Sequence, residues 1–134
     1  MRKETITYTD FNDVERTEVH YFNISKSEVA DMEMSAAGGY SEMLKRLVQA
    51  EDRPALSKIF KEFILKAYGV KSADGKRFEK SEAISEAFSQ TGAFDVLYIK
   101  LLSDTKFAID FVNSVFPADI QKKLAESSAI AESV

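Results

Sequence analysis

The single histidine, His20, is the only side chain in the sequence whose ordinary pKa would let it exchange a proton near neutral pH. It lies in an alternating segment that also carries Arg16 and Glu18 on the same side. A catalytic triad would need a serine nucleophile and a carboxylate around this imidazole, and the sequence contains no G-x-S-x-G turn to present the serine. The pattern therefore indicates a solvated histidine on a strand, and we predict no catalytic residue.

Paired carboxylates occur at several places, but they lie where helix ends and exposed faces normally carry acids. The pairs are Asp31 with Glu33, Glu51 with Asp52, and Glu79 with Glu82. Glycosidase chemistry would require a carboxyl group with a raised pKa in a pocket, and the ligand spacing of an EF-hand is absent around Asp74. Because the chain has no cysteine and one histidine, we also predict no metal site, no cofactor and no disulfide.

The composition is that of an acidic chain of one-domain size. Its 134 residues include 18 Lys and Arg against 22 Asp and Glu, and 45% are hydrophobic, which is enough for a buried core. A net charge of −4 argues against general nucleic-acid binding, because phosphate contacts need an excess of cations. No stretch approaches the roughly 20 apolar residues of a membrane span. We therefore expect a soluble protein of a reducing cytoplasm.

Two alternating segments near the N-terminus predict a β-hairpin over residues 1–24. Both are rich in β-branched and aromatic residues, and the Asn12-Asp13 dipeptide between them favours a turn. A hairpin centred on this dipeptide, with a loop of two or four residues, places Ile6 opposite Val19. One half-buried face would consist of Ile6, Tyr8, Val19 and Tyr21, and the other of Thr7, Arg16, Glu18 and His20. Because an isolated hairpin is marginally stable, it must pack on helices or pair with another chain.

The remainder of the chain predicts short amphipathic helices. Their predicted N-terminal caps are Ser25, Asp52, Ser81, Thr91 and Asp104, and their predicted ends are Gly38-Gly39, Gly69 and Pro117. Further helical segments are predicted at 40–50 and 118–124. The predicted fold is therefore mainly α, with an N-terminal β-hairpin followed by a bundle of about six or seven short helices. We expect a single domain over 1–120, with the hairpin at 1–24 and the helices at 25–120, and then a short helix and flexible polar tail over 121–134.

The segment from Val70 to Arg77 is predicted to be a loop that carries the cations Lys71, Lys76 and Arg77. The simpler interpretation is a surface turn, and the alternative is a contact with an acidic partner. The phenylalanines fall mostly on helical stripes, which favours a core, although such stripes also form grooves for a partner helix. The candidate partner-binding residues are thus these three cations together with Ile6, Tyr8, Val19 and Tyr21 on the hairpin.

The order of these segments resembles the phage tail assembly chaperone family. The matching stretches begin with residues 5–11 and 15–18 of the hairpin and continue through residues 21–28 and 32–35. They include Ala67-Tyr68-Gly69-Val70 with the following basic loop, and end with Phe116-Pro117-Ala118-Asp119. Together they span about residues 3 to 120, and the resemblance depends on order and spacing because no catalytic signature is present.

The resemblance implies a non-enzymatic protein that coats the long tape measure protein, keeps it soluble and helps to recruit tail tube subunits. It also implies action in the bacterial cytoplasm, absence from the finished virion, and a longer frameshifted form of which this chain would be the shorter counterpart. The hairpin edges could join copies into a homo-oligomer by strand addition. Two alternatives stay open: a structural tail or head-completion protein retained in the virion, and a small helical regulator.

Overall fold

A computed structural model describes residues 1–35 and 53–117, which form an antiparallel sheet with helices packed on one face. The strands are β1 Arg2–Thr9, β2 Glu15–Phe22, β3 Tyr68–Lys71 and β4 Phe78–Glu79, in the sheet order β1-β2-β3-β4. The helices are α1 Lys26–Ser35, α2 Arg53–Ala67, α3 Glu82–Ser89, α4 Gly92–Ser103 and α5 Thr105–Val115. These residues thus contain four strands and five helices, whereas the sequence predicted two strands and six or seven helices.

The predicted helix starts at Lys26 and after Ser81, Thr91 and Asp104 are confirmed, because each capping side chain is in place. Ser25 Oγ accepts a hydrogen bond from the Glu28 N–H at 3.2 Å, and the Glu28 carboxylate accepts one from the Ser25 N–H at 3.0 Å. The other three caps accept from the N–H groups of Ile84, Phe94 and Phe107. The predicted helices at 40–50 and 118–124, the Asp52 cap, the Gly38-Gly39 end and the tail lie outside the described residues.

The N-terminal hairpin is confirmed, but its predicted register is wrong by one residue. Ile6 lies opposite Glu18 rather than Val19. The Asp10 N–H donates to the Val14 carbonyl, and Asp13 adopts a left-handed backbone with φ of 60°, so the loop comprises the three residues 11–13. The prediction assumed a loop with an even number of residues. A loop of three residues shifts the pairing by one residue, so every β2 side chain points to the face opposite to the predicted one.

The predicted loop over 70–77 is the turn of a second hairpin, β3–β4: residues 72–77 are confirmed as a turn, whereas Val70 and Lys71 belong to β3. The helix α2 ends at Ala67, and Tyr68 and Gly69 enter β3, where they lie opposite Phe22 and Tyr21 of β2. The prediction that Gly69 ends the helix is therefore wrong, because the helix is followed directly by a strand that contains this residue. Pairing with β2 overrides the helical spacing, because a strand placed there extends the sheet by backbone hydrogen bonds.

Aromatic rings hold the inner face of the sheet against the helices. Phe22 is fully buried, with its ring centroid 5.2 Å from that of Phe111 and 5.9 Å from that of Phe88, and Tyr68 stacks on Phe88 at 3.9 Å. Such aromatic pairs stabilise a core beyond the area that they bury. The predicted core role of the helical phenylalanines is confirmed for Phe60, Phe63, Phe88, Phe94 and Phe111, while Phe107 is half-buried.

The two ends of the described chain are joined through Arg2. Its guanidinium donates to the Asp110 carboxylate at 2.6 Å and to the Ser114 hydroxyl at 3.1 Å, both on α5. The same group lies 5.5 Å from the centroid of the Phe107 ring. Strand β1 is therefore fixed at its first residue to α5, the last of the described helices.

Candidate binding surfaces

The corrected register divides the four hairpin candidates between the two faces of the sheet. Ile6 is 3% exposed and belongs to the core, so its side chain is not available to a partner in this fold. Tyr8 is half-buried on the same inner face and donates its hydroxyl to Glu18 at 2.6 Å. Val19 and Tyr21 instead lie on the outer face, which no described helix covers.

The outer face carries one cluster of apolar and cationic side chains, which we call the outer-face patch: Val19, Tyr21, Lys71 and Phe78. Val19 is 42% exposed, and the Lys71 ammonium lies 4.7 Å from the centroid of the Tyr21 ring. Phe78 lies directly opposite Lys71 in the β3–β4 pair. The patch thus runs across three strands and combines exposed apolar surface with a positive charge.

Gly69 lets the patch form, because the Phe78 ring occupies the space where a larger residue would place its side chain. A Cβ at this position would lie 2.5 Å from Cε2 of Phe78 and 2.9 Å from the Glu79 carbonyl oxygen. Tyr21 is the direct cross-strand neighbour of this glycine. The Phe78 ring therefore covers the Gly69 backbone on the outer face, next to the cross-strand neighbour Tyr21.

The three cations that the sequence analysis gave as candidate partner-binding residues, Lys71, Lys76 and Arg77, lie at the β3–β4 hairpin. Hydrogen bonds order the turn of this hairpin. The Asp74 carboxylate accepts from the Ser72 hydroxyl at 2.6 Å and from the Lys76 N–H at 3.0 Å, and these bonds lower its pKa. Lys71 and Lys76 are exposed, while Arg77 lies 3.3 Å from the Glu79 carboxylate. The turn thus presents positive charge next to the outer-face patch, and a binding role for these residues stays a prediction.

His20 is not the solvated strand residue that the sequence indicated. The changed register turns it to the inner face, where its ring centroid lies 5.2 Å from that of Phe88 and 6.1 Å from that of Tyr68. Its Nε2 is buried without a hydrogen-bond partner, 3.6 Å from a carboxylate oxygen of Glu18. Burial lowers the pKa of His20 below 6.5, although the nearby Glu18 opposes the shift.

The outer edge of the sheet is the long strand β1, and its open backbone groups can be assigned from the turn. The Asp10 N–H donates to Val14, so the even-numbered residues of β1 make the backbone bonds to β2. The N–H and C=O groups of Lys3, Thr5 and Thr7 then point away from β2, with no partner among the described residues.

Metal coordination finds no site in the part of the chain that the structure describes. Residues 1–35 and 53–117 contain no group of three or more His, Asp or Glu side chains placed to hold a metal ion. Among the same residues, none of the helices is both long enough and apolar enough to cross a membrane.

The sequence interpretation missed Phe78 and the backbone edge of β1 as candidate contact positions. A signal for Phe78 was present, because the Ala73-Asp74-Gly75 turn is flanked by Val70 and Phe78, which is typical of a short hairpin. No signal in the sequence of β1 reveals which of its backbone groups face outward. That depends on the left-handed backbone of Asp13, which fixes the register.

Comparison with known proteins gives one finding. A family model described as phage tail assembly chaperone matches residues 1–134, which is the whole chain. No curated protein and no solved structure matches.

Proposed function

The chain belongs to the phage tail assembly chaperone family, and from this membership we propose that it binds the tape measure protein and keeps it soluble during tail assembly. The proposal includes recruitment of tail tube subunits around that complex. It also includes a longer frameshifted form of this chain as a second partner. The family match over residues 1–134 is the observation that carries the proposal.

The outer-face patch supports the choice of a helical, apolar target. A tape measure protein is a long helix-rich chain, and its apolar stripes would associate with one another if left uncovered. Val19, Tyr21 and Phe78 offer apolar surface on an uncovered sheet face, and Lys71 and Lys76 add positive charge beside it. We infer that the bound segment is an amphipathic helix with acidic residues flanking its apolar stripe.

The proposed activity is binding without a chemical step. Holding an apolar segment out of water needs exposed contact surface and a soluble exterior, and the chain supplies the latter with its net charge of −4. We propose that the chain acts in the host cytoplasm and leaves before the particle is complete. Mass spectrometry of purified virions tests the last point, because a structural component would be found there at stoichiometric level.

The direct test is co-expression with the tape measure protein encoded in the same genome. We expect the wild-type chain to move that protein from the pellet to the supernatant. Val19→Lys should reduce the soluble fraction by about fivefold or more, because it replaces an exposed apolar contact of the patch with a charge. Thr17→Lys is the matched control: it adds the same charge two residues along the same strand and face but removes no apolar contact.

Two outcomes would contradict this proposal. The first is a tape measure protein that dissolves equally well without the chain. The second is an equal loss of solubilisation in Val19→Lys and Thr17→Lys while both variants stay folded, since the apolar patch would then not be the contact surface.

A further inference from the structure

We propose that two copies of this chain pair through the outer edges of their β1 strands, which would join two four-stranded sheets into one continuous sheet. This inference concerns the chain alone and does not depend on the proposed binding of a tape measure protein. Strand β1 is eight residues long, lies at the edge of the sheet and contains no proline. Natural proteins usually keep edge strands short, interrupt them with a β-bulge, or cover them with another element.

The open backbone groups of β1 are arranged symmetrically about Thr5. The outward-facing residues are Lys3, Thr5 and Thr7, spaced by two. In an antiparallel arrangement with a two-fold axis at Thr5, Lys3 of each copy lies opposite Thr7 of the other, and the two Thr5 residues lie opposite each other. Each such pair exchanges both N–H···O=C bonds, so the three pairs would contribute about six backbone hydrogen bonds.

The side chains in this register are compatible with the pairing on both faces. On the outer face, Thr5 meets Thr5, a β-branched pair that stabilises a sheet. On the inner face, Glu4 would lie opposite Ile6 and Arg2 opposite Tyr8. No two like charges are directly opposite, which removes the usual electrostatic obstacle to self-pairing.

Helix α4 provides a second surface that this pairing would cover. Gly92 begins α4 next to the Thr9 carbonyl and the Tyr8 side chain, so α4 lies along β1. Val96, one turn further on the same side, is 41% exposed, and Ile99 is 61% exposed. A two-fold axis through the β1 edge would bring the two α4 helices together, and these apolar side chains would lose contact with water.

The geometry favours a closed dimer over an extended array. At the other end of the sheet, β4 has two residues, which is too short an edge to support a comparable pairing. Strand β2 is unpaired with β3 from Glu15 to His20, so β1, open along all eight residues, offers the longest free edge among the described strands, and pairing β1 with β1 consumes it in both copies.

The test compares two proline substitutions at paired positions. Thr7 and Thr17 lie directly opposite each other, and their hydroxyl oxygens are 3.0 Å apart. Neither N–H bonds within the β1–β2 ladder, and β3 pairs with β2 only at Tyr21 and Phe22. Thr7→Pro thus removes a donor from the β1 edge, whereas Thr17→Pro removes the equivalent donor from the other side of the hairpin. Both lose the same side-chain contact.

We expect light scattering after gel filtration to give twice the chain mass of 15.0 kDa for the wild type and for Thr17→Pro. Thr7→Pro should raise the dimer dissociation constant by at least about tenfold. A wild-type chain that stays monomeric at high concentration would overturn the proposal, even if its edge then accepted a strand from another tail protein. A Thr7→Pro chain that dimerises as tightly as Thr17→Pro would overturn it as well.

A cross-linking experiment gives an answer that does not depend on tolerance of proline. The natural chain has no cysteine, so a single Thr5→Cys substitution introduces the only thiol. Mild oxidation should link two Thr5→Cys chains efficiently, because the proposed two-fold axis passes beside this position, whereas Thr17→Cys chains should stay mostly unlinked. Equal cross-linking of both variants, or none in Thr5→Cys, would contradict the β1–β1 arrangement.

Discussion

His20 Nε2 lies 3.6 Å from an oxygen of the Glu18 carboxylate, too far for a hydrogen bond, while the same oxygen accepts a bond of 2.6 Å from the Tyr8 hydroxyl. The half-buried imidazole thus packs beside the stacked rings of Tyr68 and Phe88, and the nearest carboxylate oxygen already accepts the bond from Tyr8. Burial disfavours the charged form of the ring more than Glu18 favours it. Protonation of His20 therefore opposes folding.

We expect the chain to lose stability as the pH falls below 6.5, the ordinary pKa of histidine. The folded-state pKa of His20 is lowered, so below 6.5 the unfolded chain binds more protons than the folded one, and the free energy of unfolding falls with pH. One group can contribute a slope of at most about 1.4 kcal/mol per pH unit. Urea unfolding between pH 8 and pH 5 measures this slope.

The control for the pH prediction is His20→Phe, which keeps an aromatic ring beside Tyr68 and Phe88 but cannot titrate. Its unfolding free energy should change less than that of the wild type between pH 7 and pH 5. Equal slopes in the two proteins would show that other groups cause the loss. Glu28, Asp10 and Asp74 do not interfere in this window, because their lowered pKa values confine their contribution to more acidic solutions.

A second prediction concerns the ion pair between Glu28 and Lys80, which joins α1 to the residue after β4. The Lys80 ammonium donates to both Glu28 oxygens, at 3.0 and 2.8 Å, and both side chains are partly buried. Burial raises the pKa of Glu28, but the bonds from Lys80 and from the Ser25 N–H outweigh it and leave the pKa lowered. We expect Glu28→Gln to lower the free energy of unfolding by about 1 kcal/mol.

Glu28→Gln keeps an acceptor for the Ser25 N–H, so it separates the ion pair from the helix cap. A double-mutant cycle with Lys80→Met should give a coupling of about 0.5–1.5 kcal/mol at pH 7. Additive effects of the two substitutions would mean that the ion pair contributes nothing to stability.

Gly69→Ala should be among the most destabilising small substitutions in the chain. The added methyl group would approach the Phe78 ring and the Glu79 carbonyl to less than 3 Å, so the β3–β4 hairpin must shift. We expect a loss of about 2–3 kcal/mol in thermal or urea unfolding. Gly75→Ala is the control: its Cβ would meet nothing within 4 Å, and its cost of about 1 kcal/mol comes only from the φ of +74°. A larger loss at Gly75 would contradict this explanation.

The turn residue Asp13 provides a test of the corrected register. Its φ of 60° is a conformation that glycine adopts without strain and that a β-branched residue resists. Asp13→Gly should leave stability unchanged or slightly higher, whereas Asp13→Val should lower it by about 1–2 kcal/mol. Equal stabilities of the two variants would be incompatible with a three-residue turn.

The helix starts could be predicted from the sequence because the signals are local. Ser25, Ser81, Thr91 and Asp104 each bond to an N–H three residues on, and no distant residue takes part. The family could also be identified, since the order of segments is a property of the sequence itself.

The sheet could not be predicted in full, because it depends on the backbone conformation of one turn residue and on pairing between residues far apart in the sequence. The register of the first hairpin depends on the left-handed backbone conformation of Asp13. A glycine at this position would have indicated such a conformation in the sequence. Strand β3 forms because Tyr68 and Gly69 pair with Phe22 and Tyr21, more than 45 residues earlier. These two effects moved His20 to the inner face and Val19 and Tyr21 to the outer face, and they changed which candidates are accessible.

The bond between Arg2 and Asp110 has a consequence for folding during synthesis. Arg2 bonds to Glu4 on its own strand, but its two partners on α5, Asp110 and Ser114, follow it by 108 and 112 residues and are among the last described residues to be synthesised. A nascent chain that stops before α5 can form the N-terminal hairpin but cannot anchor it at its first residue. Final closure of this fold therefore waits for nearly the whole described chain to be translated.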